Sequence, residues 1–324
     1  MNKFMRFLCL AACLAVAAPG AAQAQAQGYP DRPIRLLVGY GAGGGTDLIA
    51  RLAATHLSQE LGQPVVVENK PGAGGNIATE QTARAGADGY TLMLAANTVT
   101  INPHLYRNIG ADIERDLRGV GVIATSPIVL VAGPASPFST LDELLAYARE
   151  HPGQVSYGTP GVGTPQHLAI ELLMHMTGVR MTHVPYKGSS QSLSDLLAGH
   201  IPLVSAAINS AQPYIAAGKL RGLAVADAQR VAALQSLPSI GEQVPGYEVR
   251  IWYGLMAPAK TPDAVVARLN QALVAAVGHP DMARQMREQG YEQAVDTPEA
   301  MDREVRADVK KWGDVIKKAG IRPE

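Results

Sequence analysis

The chain has 324 residues, 28 basic and 28 acidic residues, and a hydrophobic fraction of 47%. This composition suits a globular protein large enough for two lobes. No basic patch or run of like charge indicates a nucleic-acid-binding surface. Both cysteines, Cys9 and Cys13, lie in the first 26 residues. Without that segment the chain can form no disulfide, thiol nucleophile or cysteine-ligated metal site.

The first residues have the pattern of an export signal. Two basic residues precede the apolar run 7–18, and residues 22–26 contain two overlapping A-x-A cleavage patterns. We therefore expect residues 1–26 to be a cleaved signal peptide and the protein to be periplasmic. The residues up to Cys13 also resemble a lipoprotein cleavage box. A lipid anchor there is disfavoured, because it would leave a very short apolar run.

Beyond the signal, short apolar runs alternate with helical patterns, which predicts an α/β protein with a parallel sheet. The first predicted strands and helices cover residues 33–38, 47–61, 65–68, 77–85 and 90–95. Asn97 and Thr98 follow the third strand, and ligands bind at this end of strands in open parallel sheets. These two residues are therefore candidate site residues.

The middle of the chain continues the alternation. Strands 119–124 and 128–131 are joined by Thr125-Ser126-Pro127, and the proline favours a crossover between lobes over one continuous strand. The alternation then runs to residue 226. Residues 251–257 predict another buried strand, and helices are expected to begin near Thr261 and Pro298.

Two glycine-rich loops each lie between a strand and a helix. The first covers residues 39–47, and Thr46 or Asp47 is expected to cap its helix. The second covers residues 158–167; Thr164 is the predicted cap and Pro165 the first helical residue. Backbone N–H groups at helix N-termini attract anions, so two such loops predict an anion site between two lobes.

Other interpretations of these motifs compete. Gly39-x-Gly41-x-x-Gly44 matches the dinucleotide fingerprint, with Glu68 where a ribose-binding acid would lie. An exported NAD-type oxidoreductase is therefore the alternative, disfavoured because the signal lacks twin arginines and no catalytic set follows. The second loop has P-loop glycine spacing but lacks the lysine. His167 and His175 are interpreted as one residue at a helix start and one packed in the core, not as a metal pair.

These segments together resemble the Bug-type solute receptors, the extracytoplasmic receptors of tripartite tricarboxylate transporters. The resemblance covers essentially the whole chain after the signal and rests mainly on residues 40–47, 68–76, 157–167, 183–188 and 252–258. It implies a type II periplasmic binding fold, a two-lobed Venus-flytrap in which each lobe is a sheet flanked by helices. Lobe one would comprise residues 27–125 and 246–324, and lobe two residues 126–245.

In that family a ligand carboxylate sits between the two loops, held by backbone N–H groups and waters. The resemblance implies these ligand-contacting residues: Tyr40, Gly43, Gly44, Gly45, Thr46, Asp47, Asn97, Thr98, Thr159, Pro160, Gly161, Val162, Gly163, Thr164, His167 and Tyr186. Ala206 stands where several members have an aspartate that meets an amino or hydroxyl group. A plain or aromatic carboxylate is therefore expected here rather than an amino acid.

The resemblance further implies a monomeric, non-enzymatic receptor that needs no cofactor or metal, binds no nucleic acid and delivers its ligand to membrane permease subunits. A ligand sensor that signals to a membrane kinase is the remaining alternative.

Overall fold

The structure, a computed structural model, describes residues 28–43 and 45–321. The expected signal peptide and Gly44 of the first glycine loop lie outside the described residues. The described residues form an α/β protein around a ten-stranded mixed sheet. Within this part of the chain, no helix is long and apolar enough to cross a membrane.

The first three strands of the sheet are parallel, as the sequence predicts. They lie in the order β2-β1-β3 and are β1 (Ile34–Val38), β2 (Val65–Asn69) and β3 (Thr91–Ala96). The helices that follow them are α1 (Gly45–Leu61), α2 (Asn76–Ala83) and α3 (Thr98–Leu105). Helix α3 was not predicted, because its eight residues contain Pro103 and have little apolar periodicity.

Strand β4 (Leu117–Ala132) joins the two halves of the sheet. The prediction of two strands broken at Thr125-Ser126-Pro127 was wrong. Up to Pro127, β4 pairs with β9 (Arg250–Pro258), and from Ile128 it pairs with strands of the second half. Pro127 lies where one partner strand replaces another, so the ladder loses only one donor there and the strand continues.

The second half repeats the strand–helix alternation. Its strands are β5 (Ser156–Thr159), β6 (Thr182–Pro185), β7 (Leu203–Ala207) and β8 (Arg221–Val225). Its helices are α4 (Leu141–Glu150), α5 (Pro165–Thr177), α6 (Ser189–Leu197), α7 (Ile208–Ala216) and α8 (Ile240–Gln243). Strands β7, β5 and β6 are mutually parallel, whereas β4 is antiparallel to β7 and β8.

The C-terminal part packs mainly onto the first half, and its last helix also contacts α5 of the second half. After β9 come α9 (Asp263–Gly278), α10 (Pro280–Glu288), the short β10 (Glu292–Gln293) and α11 (Pro298–Ala319). Helix α9 packs on α1 and β4, while α11 packs on α3, β4 and α5. Strand β4 changes partner at 127/128, near the expected lobe boundary at 125/126, and the expected boundary at 245/246 lies between β8 and β9. Division into two separately moving lobes stays a prediction.

Candidate functional site

Asp47 ties the first glycine loop to its surroundings. Its carboxylate is 2% exposed and accepts hydrogen bonds from Gly43 N–H (2.9 Å), Arg51 Nε (2.9 Å) and Asn69 Nδ2 (2.8 Å). The pKa of Asp47 is lowered to about 2, mainly by the hydrogen bond from Arg51, whereas burial acts to raise it. Helix α1 begins at Gly45, so the prediction that Thr46 or Asp47 caps it was wrong. Asp47 lies inside the first turn and holds the loop before it.

Tyr40 and Thr98 connect this loop to the end of β3. The Tyr40 hydroxyl contacts Thr98 Oγ1 and donates to the carbonyl of Gly74 (3.2 Å). Burial raises the pKa of Tyr40. Asn97 is fully buried and donates through Nδ2 to the carbonyl of Arg250 (3.0 Å). Its Oδ1 atom is buried without a partner among the described residues. Asn97 and Thr98 therefore lie at the strand end, as predicted.

Tyr291 anchors Gly45, and no pattern in the sequence indicated this role. The Tyr291 hydroxyl donates to the Gly45 carbonyl at 2.8 Å, and burial raises the tyrosine pKa to about 12. The ring of Tyr253 packs edge-on against Tyr291, with centroids 5.5 Å apart. Tyr253 belongs to a segment that carried the family resemblance, but the sequence assigned it no role. The structure places both tyrosines beneath the start of α1.

Local contacts explain Gly39 and Glu68, two of the residues that matched a dinucleotide fingerprint. A Cβ atom on Gly39 would lie 2.7 Å from the Cα of Gly75, so glycine is needed where these two loops meet. Glu68 is paired with Arg35 (2.7 Å) and Lys70 (3.3 Å). Mainly because of the Arg35 hydrogen bond, and against burial, the pKa of Glu68 is lowered to about 2. Neither residue requires a nucleotide to explain its presence.

Several N–H groups of the second glycine loop already have partners. The N–H of Gly161 donates to Thr159 Oγ1 (3.3 Å), and that of Gly163 to His167 Nδ1 (3.1 Å). The N–H of Thr164 donates to the Gly161 carbonyl (3.4 Å). The Thr164 side chain accepts from His167 N–H (3.3 Å), which confirms it as the cap of α5. These groups are not free to bind a ligand in this arrangement.

Two backbone donors remain at this loop. Pro160 and Pro165 have no N–H. Among the described residues, the N–H groups of Val162 and Gln166 have no hydrogen-bond partner. Val162 is half-exposed and Gln166 lies in the first turn of α5. The loop thus presents two backbone donors at a helix N-terminus, the arrangement that stabilises an anion. Gln166 was not among the predicted site residues, although its place after the cap could have indicated it.

A buried polar cluster lies beneath the second loop. The rings of His167 and His183 stack with centroids 3.8 Å apart. Glu171 Oε1 accepts from the Tyr157 hydroxyl (2.7 Å) and lies 3.4 Å from His167 Nε2. Thr159 Oγ1 lies 2.6 Å from His183 Nε2. Burial, with a contribution from His167, lowers the pKa of His183 to about 4. His183 is therefore neutral at pH 7.

The two histidines of α5 have different environments. His167 is 3% exposed. His175 is exposed, and its Nε2 lies 3.2 Å from Lys318 Nζ of α11. The prediction that one lies at the helix start is confirmed for His167, but the expected core packing of His175 was wrong. In the described ranges, no three His, Cys, Asp or Glu side chains are placed to hold a metal ion.

The remaining predicted residues, Tyr186 and Ala206, lie on the other side of β5 and β7. The Tyr186 hydroxyl donates to Asp195 Oδ2 (2.8 Å); burial, followed by Asp195, raises its pKa to about 12. Ala206 is fully buried in an apolar cluster with Val129 and Ala211. Contact of either side chain with a ligand stays a prediction.

Two close contacts bring the halves of the molecule together near the loops. A Cβ atom on Gly163 would lie 2.0 Å from Leu105 Cδ1, so the second loop lies directly against α3. A Cβ atom on Gly290 would lie 3.0 Å from Asn209 Cβ at the start of α7. Gly290 precedes Tyr291, which holds the first loop. The second loop thus contacts helix α3, whose Thr98 contacts Tyr40 of the first loop. A cavity of about 550 Å³ at Tyr29 is not lined by residues of either glycine loop.

This geometry, a sheet in two halves with a glycine loop at a helix N-terminus in each, defines a binding protein of the two-lobed periplasmic class. Solved structures agree. A structure of R. palustris Rpa4515 with adipate is 38% identical, with a TM-score of 0.79, covering 91% of this chain and 100% of that one. The periplasmic binding protein BugD is 34% identical, with a TM-score of 0.76 and coverages of 91% and 100%. MatC from Rhodopseudomonas palustris with bound malate is 28% identical, with a TM-score of 0.74 and coverages of 89% and 100%.

The family model described as "Tripartite tricarboxylate transporter family receptor" matches residues 49–321. The chain belongs to this receptor family. The resemblance to Bug-type receptors and the expected fold class are confirmed. The family consists of solute-binding receptors, so the chain is a receptor and not an NAD-dependent enzyme.

Proposed function

We propose that this protein captures a small carboxylic acid between its two glycine loops. The observation that carries the proposal is that, within the part of the chain that the structure describes, the N–H groups of Val162 and Gln166 at the N-terminus of α5 have no hydrogen-bond partner. A helix N-terminus and its free N–H groups stabilise a carboxylate without a basic side chain. Gly43 to Asp47 would supply the opposing loop.

The ligand we propose is an acid without an amino group, with dicarboxylates as the first candidates. Rpa4515 was solved with adipate and MatC with malate. From the family resemblance we expect Ala206 to stand where several members have an aspartate, and it is buried among apolar residues. No carboxylate at that position can therefore pair with an ammonium group.

Ligand binding is proposed to favour a closed arrangement of the two halves. A ligand that contacts both loops stabilises the state in which the loops are close. The contact between Gly163 and Leu105 already brings the second loop against the first half. The closed form would be the one that a membrane permease recognises. We further propose that residues 1–26 direct export and are removed, and that the protein acts as a monomer.

Thermal unfolding with a ligand panel tests this function. The panel contains adipate, malate, citrate, benzoate, aspartate and NAD. At about 100 times its Kd a ligand stabilises the native state by roughly 2.7 kcal/mol, which should raise the Tm by a few degrees. Stabilisation by an acid without an amino group supports the proposal. Stabilisation by aspartate alone overturns the ligand class, and stabilisation by NAD alone overturns the function.

Delivery to a permease needs a separate test. Uptake of the identified ligand is compared in cells that contain the receptor and cells that lack it. Loss of uptake without the receptor is expected. Unchanged uptake, despite tight binding by the purified protein, would contradict delivery and favour a sensor role.

A further inference from the structure

The buried bond between Gly163 and His167 determines where the proton on the imidazole lies. The Gly163 N–H donates to His167 Nδ1 at 3.1 Å, so Nδ1 must be an unprotonated acceptor. The neutral ring then carries its proton on Nε2. A histidine protonated on Nδ1 would direct an N–H group at the N–H of Gly163, and the loop could not keep this arrangement.

Glu171 supplies the acceptor that this tautomer requires. It lies one turn further along α5, with Oε1 3.4 Å from His167 Nε2. Burial opposes ionisation of Glu171, but bonds from His167 and Tyr157 outweigh it and lower its pKa. The carboxylate can only accept hydrogen bonds in this state. It therefore favours the proton on Nε2 of His167 and leaves Nδ1 free for Gly163.

His183 fixes the plane of the His167 ring. The two rings stack at an angle of 15°, and Thr159 holds His183 Nε2 at 2.6 Å. Thr159 Oγ1 also accepts from Gly161 N–H. The same cluster thus binds the second loop at Gly161 and Gly163, on either side of Val162. The N–H of Val162 is left as the donor between two fixed positions.

We propose that His167 is a positioning residue for anion binding. Its Nδ1 atom accepts the hydrogen bond from Gly163 and so holds the loop in place. In this arrangement the N–H groups of Val162 and Gln166 are available to one ligand carboxylate. Glu171 determines which tautomer His167 adopts. This inference rests on the proposed function, because it assigns His167 a role in preparing that site. Donors held in place before binding cost less entropy to order, so loss of the anchor weakens affinity.

Two substitutions of His167 separate positioning from packing. Asparagine places an oxygen near the position of Nδ1, whereas glutamine places its amide near that of Nε2. Both remove the stacked ring. For His167→Asn we expect affinity for the identified carboxylate within about threefold of wild type, and for His167→Gln a loss of about tenfold, the scale of one hydrogen bond. Equal affinity of the two variants overturns the proposal.

The tautomer is measured independently of any ligand, by ¹⁵N NMR of the histidine rings in the wild-type protein. Protonation of His167 on Nε2 alone is expected, and protonation on Nδ1 overturns the inference. If the asparagine and glutamine variants do not fold, Glu171→Gln replaces them. It should populate the Nδ1-protonated form and weaken binding; an unchanged tautomer and affinity overturn the role of Glu171.

The two proposals fail in different ways. A wild-type protein that binds no member of the carboxylate panel overturns the proposed function, and with it the positioning role. A wild-type protein that binds a carboxylate, with a His167→Gln variant that binds it equally well, overturns only the inference about His167.

Discussion

Gly163 lies so close to Leu105 that a Cβ atom added to it would be 2.0 Å from Leu105 Cδ1. The contact joins the second glycine loop to helix α3 of the other half. Gly163→Ala should therefore push the halves apart and weaken ligand binding by about tenfold, a free-energy loss of about 1.4 kcal/mol. Isothermal titration with the identified acid measures this change.

Gly178 provides a matched control for that substitution. Its φ of +72° is close to the +71° of Gly163, but nothing lies within 4 Å of an added Cβ atom. Gly178→Ala therefore introduces the same backbone strain, about 1–2 kcal/mol, without the clash. Leu105→Ala should restore part of the affinity lost in Gly163→Ala. Equal affinity of the two glycine variants would show that the contact does not limit binding.

Asp47→Asn should destabilise the protein by about 1.5–3 kcal/mol, the range for hydrogen bonds to a charged group. The substitution keeps the shape of the side chain but removes the charge that holds Arg51 and the Gly43 N–H. Urea unfolding at pH 7 measures the change. Asp314→Asn is the control, because Asp314 is exposed and forms no ion pair within the described residues. A loss no larger than the control's would contradict the role of Asp47.

The lowered pKa of His183 should make the free energy of unfolding depend on pH. Its native pKa is lowered to about 4, whereas an unfolded histidine has a pKa of about 6.5. Between these values the unfolded chain binds more protons, so stability falls as the pH is lowered from about 6.5 to about 4. Allowing for solvent screening of this partly exposed ring, the loss is on the order of 1–2 kcal/mol.

His183→Asn should flatten this part of the pH profile. The groups that face His183 are His167, Glu171, Tyr157 and Thr159. Urea titrations between pH 4 and 7 give the free energy of unfolding of the wild-type protein and of the variant at each pH. An identical slope in the variant would assign the pH dependence to another group.

Tyr291→Phe should cost about 0.5–1.5 kcal/mol in stability, because it removes the hydroxyl that donates to the Gly45 carbonyl. The same change should weaken ligand binding through the first loop. Tyr253→Phe is the control: its ring packs on Tyr291, but its hydroxyl forms no hydrogen bond within the described chain. Thermal unfolding measures the stability of both variants, and titration with the identified acid measures their affinity. Equal effects would mean that the Gly45 anchor is unimportant.

Local signals in the sequence predicted the parts of the fold that depend on local chemistry. Thr164 and Pro165 indicated the start of α5, and the apolar run before the first loop indicated β1. The continuity of β4 through Pro127 could not be predicted in this way, because it depends on which distant strands lie beside it.

The site was predicted only in outline. The two glycine loops were visible, but the partners of their N–H groups were not. Gly163 and His167 bond to each other four residues apart, and this pairing removes one expected donor. Tyr291 reaches Gly45 from the other end of the chain. Long-range contacts of this kind leave no periodic pattern in one sequence.

In the proposed complex the N–H groups of Val162 and Gln166 bind the ligand carboxylate. An amide ¹H–¹⁵N NMR titration of the wild-type protein with the identified acid measures this contact. In the second loop we expect the largest downfield shifts at Val162 and Gln166, with Gly163 changed little because its N–H remains bonded to His167. If the protein is saturated with ligand while the Val162 and Gln166 signals stay unchanged, these two groups do not bind the carboxylate.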